Sequence, residues 1–348
     1  MLVALILVLA PVCLMLFKPA PNAATNTITV DTLDDPGTSS ECSLHGAIEN
    51  ANGASTNPDN NCVAGTGTDT IVFSVSGTIT LGSGLPAIAN SSGGSLTIDG
   101  SGQTITIDGA NSYQVLRVNS GATLNLSNVT VARGVVNYPN SGAAVFNAGT
   151  LNVVDSIFSN NRMYGSSCCA LGGGALSTTG AMTVTGSTFS GNATVSGAAS
   201  GGAIEIHFSG SATVTNSTFS NNSSSWQGGA IQVQDTGSAM LTNDTFSGNS
   251  AAVDGDSIHL SAGASATVEG SLFVHGDPRG NCGGSTITDG GYNISDDATC
   301  SFGSSSGSNG DTIGDNVAES NITLDPNGLQ NNGGRTETIA RSCQEFRV

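Results

Sequence analysis

The sequence contains very few basic residues. Its 348 residues include eight lysines and arginines against 26 aspartates and glutamates, so the formal net charge is −18 at pH 7. Lys18 is the only lysine. Proteins that bind nucleic acids need clustered basic side chains to neutralise phosphates, and anionic membrane surfaces attract the same clusters. We therefore expect neither a nucleic acid nor an anionic membrane surface as a partner.

Charged and aromatic residues of every kind are also scarce. Charged residues make up 10% of the chain and aromatic residues 5%, whereas glycine alone contributes 48 residues. This composition suits neither a helical protein nor a disordered acidic tail. Residues with β preference (Val, Ile, Thr and Phe) recur at short spacing throughout. The sequence therefore predicts an all-β fold, and the chain is long enough to bury an extended core.

The N-terminal residues are typical of an export signal. Leu2 to Phe17 form an apolar stretch, and Ala23-Ala24 supply small residues for cleavage. We expect a signal peptide over residues 1–24 and a location outside the cell or at the cell surface, including the outer membrane. An N-terminal membrane anchor is the alternative, because a similar apolar stretch could also span a bilayer.

Export makes disulfides the expected state of the cysteines. The spacing pairs Cys42 with Cys62 and Cys282 with Cys300. Each bond would close a loop of about twenty residues and contribute roughly 3 kcal/mol in the chain-entropy model. The pairing of Cys168, Cys169 and Cys343 stays open. No spacing of Cys and His resembles a zinc site, so we expect no metal and no small-molecule cofactor.

Three apolar positions recur in phase along the second half of the chain. The recurring positions are Phe158, Phe189, Phe219, Phe246 and Phe273, then Val153, Val184, Val214, Leu241 and Val268, then Val145, Leu176, Ile204, Ile231 and Ile258. A period in the high twenties with three short β segments is typical of a solenoid whose stacked coils share one core. The sequence therefore predicts a right-handed, single-stranded parallel β-helix of about nine coils.

The joints between these segments also repeat. An asparagine lies three residues after each phenylalanine, at Asn161, Asn192, Asn222 and Asn249. Stacked asparagine amides can hydrogen-bond from coil to coil and satisfy backbone groups at a corner. Gly-Gly before Ala203 and Ala230 permits turns where a Cβ would clash. We interpret these repeated residues as structural, and the asparagines as a ladder.

Two groups of motifs resemble known bacterial surface proteins. GGAI at 201–204 and 228–231, GGAL at 173–176 and FxxN at four successive positions are similar to the repeats of chlamydial polymorphic outer-membrane proteins. The stretch ITVDTLDDPGTSSECSLHGAIENAN, from Ile28 to Asn52, resembles surface and secreted proteins named for a CSLREA motif. His45 and Gly46 stand where that family has Arg-Glu. The resemblance implies a β-helix at the cell surface or outside the cell.

The rest of the chain is divided around the predicted β-helix. We expect an N-terminal cap with a disulfide over 25–69, the β-helix over 70–280, a disulfide loop over 281–302 and a C-terminal loop and tail over 303–348. Leu44, Ala47, Ile48 and Ala51 follow helical spacing and predict a short capping helix. The tail RSCQEFRV departs from the resembled family, and we hypothesise a truncated or frameshifted end.

One polar face is the candidate binding site. Aligning Ile204, Ile231 and Ile258 directs their neighbours outward by strand alternation. The outward residues are Glu205, Gln232 and His259 in one column, and His207, Gln234 and Ser261 in the next. Trp226 and Tyr164 lie nearby as surfaces on which a sugar could stack. We interpret these residues as an ordinary solvated strand face, with a glycan-facing column as the alternative.

No catalytic site can be identified in the sequence. None of the four histidines lies in a nucleophile motif, and the polar columns hold a single carboxylate, Glu205. Asp235, Asp254 and Asp256 leave weak calcium binding as an alternative to a plain acidic loop. We favour a structural, adhesion-type protein that is not an enzyme, is monomeric and meets an extracellular glycan or a host-cell or other cell-surface partner. The alternatives are a polysaccharide lyase or glycoside hydrolase, and a truncated family member without a function.

Overall fold

A computed structural model of the chain describes residues 26–53, 60–90, 94–166, 172–274, 279–303, 305–306, 312–313, 324, 327–331 and 336–339. The expected signal peptide, Cys168, Cys169, Cys343 and the atypical tail lie outside these residues. The described helix is α1 (Leu44–Gly53). The described strands are β1 (Asn26–Val30), β2 (Asp69–Phe73), β3 (Gly77–Thr80), β4 (Leu96–Asp99), β5 (Ile105–Asp108), β6 (Leu116–Val118), β7 (Thr123–Ser127), β8 (Val129–Ala132), β9 (Val135–Asn137), β10 (Val145–Asn147), β11 (Thr150–Val154), β12 (Ile157–Ser159), β13 (Arg162–Tyr164), β14 (Leu176–Thr178), β15 (Ala181–Thr185), β16 (Thr188–Ser190), β17 (Ala193–Val195), β18 (Ile204–Ile206), β19 (Ser211–Thr215), β20 (Thr218–Ser220), β21 (Ser223–Ser224), β22 (Ile231–Val233), β23 (Ser238–Thr242), β24 (Thr245–Ser247), β25 (Ser250–Ala251), β26 (Ile258–Leu260), β27 (Ser265–Glu269), β28 (Leu272–Val274), β29 (Cys282–Gly284), β30 (Thr288–Gly291), β31 (Ile294–Ser295), β32 (Ser305–Ser306) and β33 (Thr312–Ile313).

The strands build a parallel β-solenoid, which confirms the predicted all-β class. Sheet A has the order β1-β2-β4-β7-β11-β15-β19-β23-β27-β30, and sheet B the order β3-β5-β8-β12-β16-β20-β24-β28-β31. Sheet C runs β6-β10-β14-β18-β22-β26-β29, and sheet D runs β9-β13-β17-β21-β25. At a strand spacing of about 4.8 Å, the ten strands of sheet A extend over roughly 43 Å.

Each central coil has four strands, in the order A, B, D, C, rather than the three expected from the sequence. The extra strands are those of sheet D, which are two or three residues long, such as Ser223–Ser224 in β21. Val136 of β9 and Met163 of β13 are buried with Ala143 and Ala199 in a small cluster that is separate from the main core, and β21 and β25 consist only of Ser-Ser and Ser-Ala. The apolar period that revealed the coils therefore contained no signal for them.

The three predicted apolar columns stack in register inside the solenoid. Phe158, Phe189, Phe219, Phe246 and Phe273 pair in succession through β12, β16, β20, β24 and β28. Their rings are parallel, with centroids 4.6–4.9 Å apart, and all five are fully buried. Burying one such side chain stabilises a fold by about 1.5–3 kcal/mol. This phenylalanine stack is therefore a major contribution to the cohesion of the coils.

The four asparagines form a hydrogen-bonded ladder at the corner between sheets B and D. Asn222 Oδ1 accepts hydrogen bonds from Asn192 N at 3.1 Å and Asn192 Nδ2 at 2.9 Å. Asn222 Nδ2 donates to Phe189 O and to Asn249 Oδ1, both at 3.0 Å. Asn161 makes the same pair of bonds to Asn192 Oδ1. The ladder satisfies backbone groups that the turn would otherwise leave buried and unpaired.

A second ladder, built from serines, lies at the corner between sheets A and B. Ser187 N donates to Ser217 Oγ, and Ser217 N donates to Asp244 Oδ1 at 2.7 Å. Asp244 N then donates to Ser271 Oγ at 3.1 Å. Asp244 thus occupies a serine position with a buried carboxyl group, and burial raises its pKa to about 8 against the opposing hydrogen bonds from the backbone of Ser217 and Thr242.

The N-terminal cap contains the expected helix and the expected disulfide. Helix α1 buries Leu44, Ala47, Ile48 and Ala51, and the Cys42–Cys62 bond joins its start to the segment after it. Gly46 lies within the helix and leaves room for Asn60, since a Cβ at this position would lie 2.9 Å from the Asn60 side chain. Among the described residues, no helix is long and apolar enough to cross a membrane.

The stack extends further than residues 70–280 in both directions. Strand β1, within the expected cap, pairs with β2, and β29–β31 continue sheets C, A and B through the expected disulfide loop. The Cys282–Cys300 bond is present there, as predicted. The described part of the C-terminal segment packs back onto the solenoid, since Thr188 Oγ donates to Glu337 O at 2.5 Å and Thr336 Oγ donates to Gly186 O at 2.9 Å.

Candidate functional site

Polar side chains form an outward column along sheet C. The register pairs Ser177 with Glu205, Glu205 with Gln232, and Gln232 with His259. The residues that flank them, such as Ile204, belong to the buried core. Because side chains alternate across a strand, the column points away from the core, as the coil alignment predicts.

The column is buried rather than solvated, which corrects the sequence prediction. Glu205 and Gln232 are 0% exposed, and His207 and His259 are 5% exposed. Gln234 is half-buried. The solvated face predicted for these residues was therefore wrong, and four of them offer almost no surface to an external glycan.

Glycine segments before the sheet C strands are the physical reason for this burial. Gly201 has a φ of +66°, and a Cβ there would lie 2.3 Å from Ile204 O and 3.2 Å from Glu205 N. Gly228 has a φ of +63°, and a Cβ there would lie 2.4 Å from Ile231 O. Without a Cβ, the backbone can turn tightly against the outer side of each strand. The Gly-Gly pairs therefore allow backbone to cover the polar column.

Glu205 is the centre of the buried network. Its Oε2 accepts hydrogen bonds from Gly172 N at 2.8 Å and Ser177 Oγ at 3.3 Å, and its Oε1 accepts one from Gln234 Nε2 at 2.9 Å. Burial raises the pKa of Glu205 to about 8; the bonds from Gly172 and Ser177 oppose this shift, and the charge of Asp235 adds to it. The carboxyl group is therefore mainly protonated at neutral pH.

Ser177 links this carboxyl group to an imidazole. Its Oγ lies 3.2 Å from His207 Nε2 and accepts a hydrogen bond from Ser141 Oγ at 3.0 Å. Burial lowers the pKa of His207, although the charge of Asp235 opposes this. A serine beside an imidazole can be an activated nucleophile when a third group orients the ring from its other nitrogen. Here Glu205 lies 4.0 Å from the same Nε2.

The geometry of this cluster therefore favours proton sharing over nucleophilic attack. Ser177 is 0% exposed, so its hydroxyl group is not presented to a substrate. The contacts of Ser177 Oγ with Glu205 Oε2 and His207 Nε2 satisfy buried polar groups on two adjacent coils. Buried polar groups that are satisfied in this way fix the arrangement of their neighbours.

The other end of the column is less completely satisfied. Gln232 Nε2 donates to Ser261 Oγ at 3.0 Å, while Gln232 Oε1 and His259 Nδ1 are buried without a hydrogen-bond partner among the described residues. His259 Nε2 lies 3.7 Å from Asp254 Oδ2. Burial lowers the pKa of His259, and the charge of Asp254 opposes this shift.

The acidic residues considered for calcium are engaged separately by the backbone. Asp235, Asp254 and Asp256 accept hydrogen bonds from the N–H groups of Phe208 at 2.9 Å, Gly284 at 3.1 Å and Ala251 at 2.7 Å, respectively. Within the described ranges, no group of three or more His, Cys, Asp or Glu side chains is arranged to hold a metal ion. Weak calcium binding by these residues stays a prediction.

The two aromatic residues singled out from the sequence are accessible. Trp226 is 40% exposed and Tyr164 is 37% exposed. Tyr164 belongs to β13 of sheet D, and Trp226 O accepts a hydrogen bond from Val253 N beyond the last residue of β25. They lie beside sheet D rather than within the buried column of sheet C, and their role in stacking on a sugar stays a prediction.

Sequence reasoning missed Ser177 and Asp244 as members of buried networks. Ser177 follows Leu176, which aligns with Ile204, so the alignment already placed Ser177 one coil before Glu205. Asp244 replaces a serine in the series Ser156, Ser187, Ser217 and Ser271. A comparison of the residue before each Thr-Phe, Ile-Phe or Leu-Phe pair would have identified it.

One coil of the solenoid matches the model of a known repeat family. A family model described as the Chlamydia polymorphic membrane protein repeat matches residues 216–234. These residues run from just before β20 to just after β22, which is most of one coil. The resemblance of the N-terminal part to CSLREA-motif proteins stays a prediction.

The solved structures that resemble the chain include that of a pollen protein. Jun a 1, the major allergen from cedar pollen, aligns with 15% sequence identity and a TM-score of 0.40. The alignment covers 71% of this chain and 66% of the allergen, slightly less than two thirds of its length. A search of curated protein sequences gives no match.

Proposed function

We propose that this chain is an extracellular or cell-surface β-solenoid with a structural, adhesion-type role. The match of residues 216–234 to a repeat of surface-associated membrane proteins is the observation that carries the proposal. The matched coil is one of a series that repeats the same phenylalanine, asparagine and glycine positions, so the likeness bears on the whole stack. We expect the mature protein to be a monomer.

The chemistry of the polar residues supports a non-catalytic role. The best candidates for acid, base and nucleophile are Glu205, His207 and Ser177, and all three are buried within one hydrogen-bonded network. That network connects neighbouring coils and stiffens the solenoid. A stiff, extended scaffold can hold a binding surface at a distance from the cell.

Immunolabelling of intact cells tests this function. Antibodies against the folded chain should label intact cells, or detect the protein in the medium, and external proteinase K should remove the cell-bound signal. Amine-reactive labels are unsuitable because Lys18 is the only lysine. Labelling that requires permeabilised cells, with no protein in the medium, would contradict a surface or extracellular role.

A further inference from the structure

The outer face of sheet A is open along the central coils. We define this face as the outward side chains of β11, β15, β19, β23 and β27. These side chains are half-buried or exposed on every one of the five strands, and Met240 in the middle of β23 is 54% exposed. The outward side chains of sheet B are in part covered, since Thr188 and Thr218 are 1% and 4% exposed. Sheet A is thus a broad accessible surface beside covered ones.

The sheet A face is nearly free of charge. Its outward side chains are mainly serine and threonine, and Glu269, at one end, is the only one that ionises. This neutrality contrasts with the chain as a whole, whose formal net charge is −18. A cationic polymer would find only one carboxylate on this face, and an anionic polymer would find no counter-charge and an acidic protein around it. The complementary partner is uncharged and rich in hydroxyl groups.

The outward side chains of this face occupy a regular lattice of positions, most of which carry a hydroxyl group. The strand register places Asn152, Thr183, Thr213, Met240 and Thr267 in one column along the solenoid axis. Neighbours in this column are about 4.8 Å apart, and the parallel columns two residues away on each strand lie roughly 6.7 Å to either side. A ligand that makes the same contact with successive coils must therefore itself repeat along the axis.

Part of this lattice is already held in place by hydrogen bonds. Within the face, Thr183 Oγ1 donates to Asn152 Oδ1 at 2.8 Å, and Asn152 Nδ2 donates at 2.8 Å to Asn125 Oδ1 on β7, the neighbouring strand outside the face. Thr213, on the coil after Thr183, makes no side-chain hydrogen bond within the described residues. Fixed side chains lose little entropy when a ligand binds, so this arrangement favours affinity from weak, repeated contacts.

From these observations we infer that the sheet A face is a binding surface for an uncharged, hydroxyl-rich polysaccharide whose chain lies along the solenoid axis. The inference rests on the adhesion-type role proposed above, because it names the face and the class of ligand through which adhesion occurs. No bond is made or broken in this binding.

Affinity electrophoresis of the full chain tests the inference. The gels contain dextran, laminarin, xyloglucan, galactomannan or hydroxyethyl cellulose as neutral probes, and polygalacturonate as the anionic probe. At least one neutral glycan should retard the protein, and polygalacturonate should not. In competition experiments, longer oligosaccharides of the same glycan should relieve the retardation at lower concentrations, because a longer chain crosses more coils.

Two substitutions on the face and one control locate the site. Thr213→Glu introduces a charge at the centre of the face and should weaken binding at least about tenfold, which is about 1.4 kcal/mol. Thr213→Val removes the hydroxyl group but keeps the shape and the β preference, and should weaken binding about two- to fivefold. Thr104→Glu adds the same charge at an exposed threonine outside sheet A and should leave binding unchanged. Circular dichroism establishes that each variant is folded.

Several outcomes would overturn the inference. They are the absence of retardation by any neutral glycan, equal loss of binding in Thr213→Glu and Thr104→Glu, and release of new reducing or unsaturated ends from the retained glycan. Self-association of the wild type that Thr213→Glu abolishes would instead assign the face to a second copy of the chain. Because the purified protein is used, a negative result here leaves the cell-surface labelling as an independent test of the proposed function.

Discussion

Asn222→Ala should be among the most damaging single substitutions in the solenoid. The side chain is fully buried and makes four hydrogen bonds, two to Asn192 and one each to Phe189 and Asn249. Alanine leaves the backbone N–H of Asn192 and one N–H of its side-chain amide buried without their acceptor, and each such group costs about 1–3 kcal/mol. We expect the free energy of unfolding to fall by about 3–5 kcal/mol.

Guanidinium chloride unfolding followed by circular dichroism measures this loss. The matched control is Asn221→Gly at the neighbouring position. Asn221 has a φ of +54°, and the same corner of adjacent coils is occupied by Gly191 and Gly248 with φ of +63° and +65°. Glycine adopts a positive φ without steric strain, so the control should change the free energy of unfolding by less than about 1 kcal/mol. A loss below about 1 kcal/mol in Asn222→Ala, or equal losses in both variants, would refute the structural role of the ladder.

Three further predictions concern buried carboxyl groups and a glycine turn. Asp244→Ser should raise the free energy of unfolding, measured in urea at pH 8. The substitution restores the serine that neighbouring coils carry at this position, such as Ser217, and it removes a buried carboxyl group whose pKa is about 8. A loss of stability would contradict this. In an Asp244→Ser background, the stability that neutral Glu205 supplies should be complete below about pH 4.5 and decline as pH rises through about 8, since its folded pKa lies above its unfolded value. Glu205→Gln should flatten that profile in thermal melts between pH 5 and 9, and an unchanged slope would rule Glu205 out as the cause. Gly228→Ala should lower the free energy of unfolding by at least about 2 kcal/mol. Gly228 has a φ of +63°, and a Cβ there would lie 2.4 Å from Ile231 O. A near-neutral result in chemical denaturation would show that the turn can relax.

The sequence predicts the stack well because the same side chains must meet on every coil. A phenylalanine that packs on a phenylalanine imposes a period, and Phe158 through Phe273 display it directly. The capping helix and both disulfides were predicted for similar reasons, from spacing alone. Sheet D was missed because strands such as β21 and β25, with sequences SS and SA, pair through their backbone and bury little apolar surface.

The candidate site was harder to predict because the alternation of side chains along a strand tells which way a residue points, but not whether other segments cover it. Glu205 and His259 do point away from the core, yet segments that turn at Gly201 and Gly228 cover that side of sheet C. The sequence analysis interpreted the repeated Gly-Gly as a turn. Whether that turn lies against the neighbouring sheet C strand depends on the path of the chain after sheet D, which the sequence analysis did not identify. The open face of sheet A, in contrast, carries mainly serine and threonine, which are common throughout the chain, so nothing in its composition marks it.

Carbene footprinting of the full chain, with and without a retained neutral glycan, tests most directly which face meets the ligand. Pepsin is the suitable protease for the readout, since basic cleavage sites are few. The account predicts that the glycan reduces labelling on β15, β19 and β23. Labelling of residues Gly201 to His207, on the sheet C side, should be the same with and without the glycan. Protection confined to the sheet C side, with sheet A labelled as in the free protein, would contradict it.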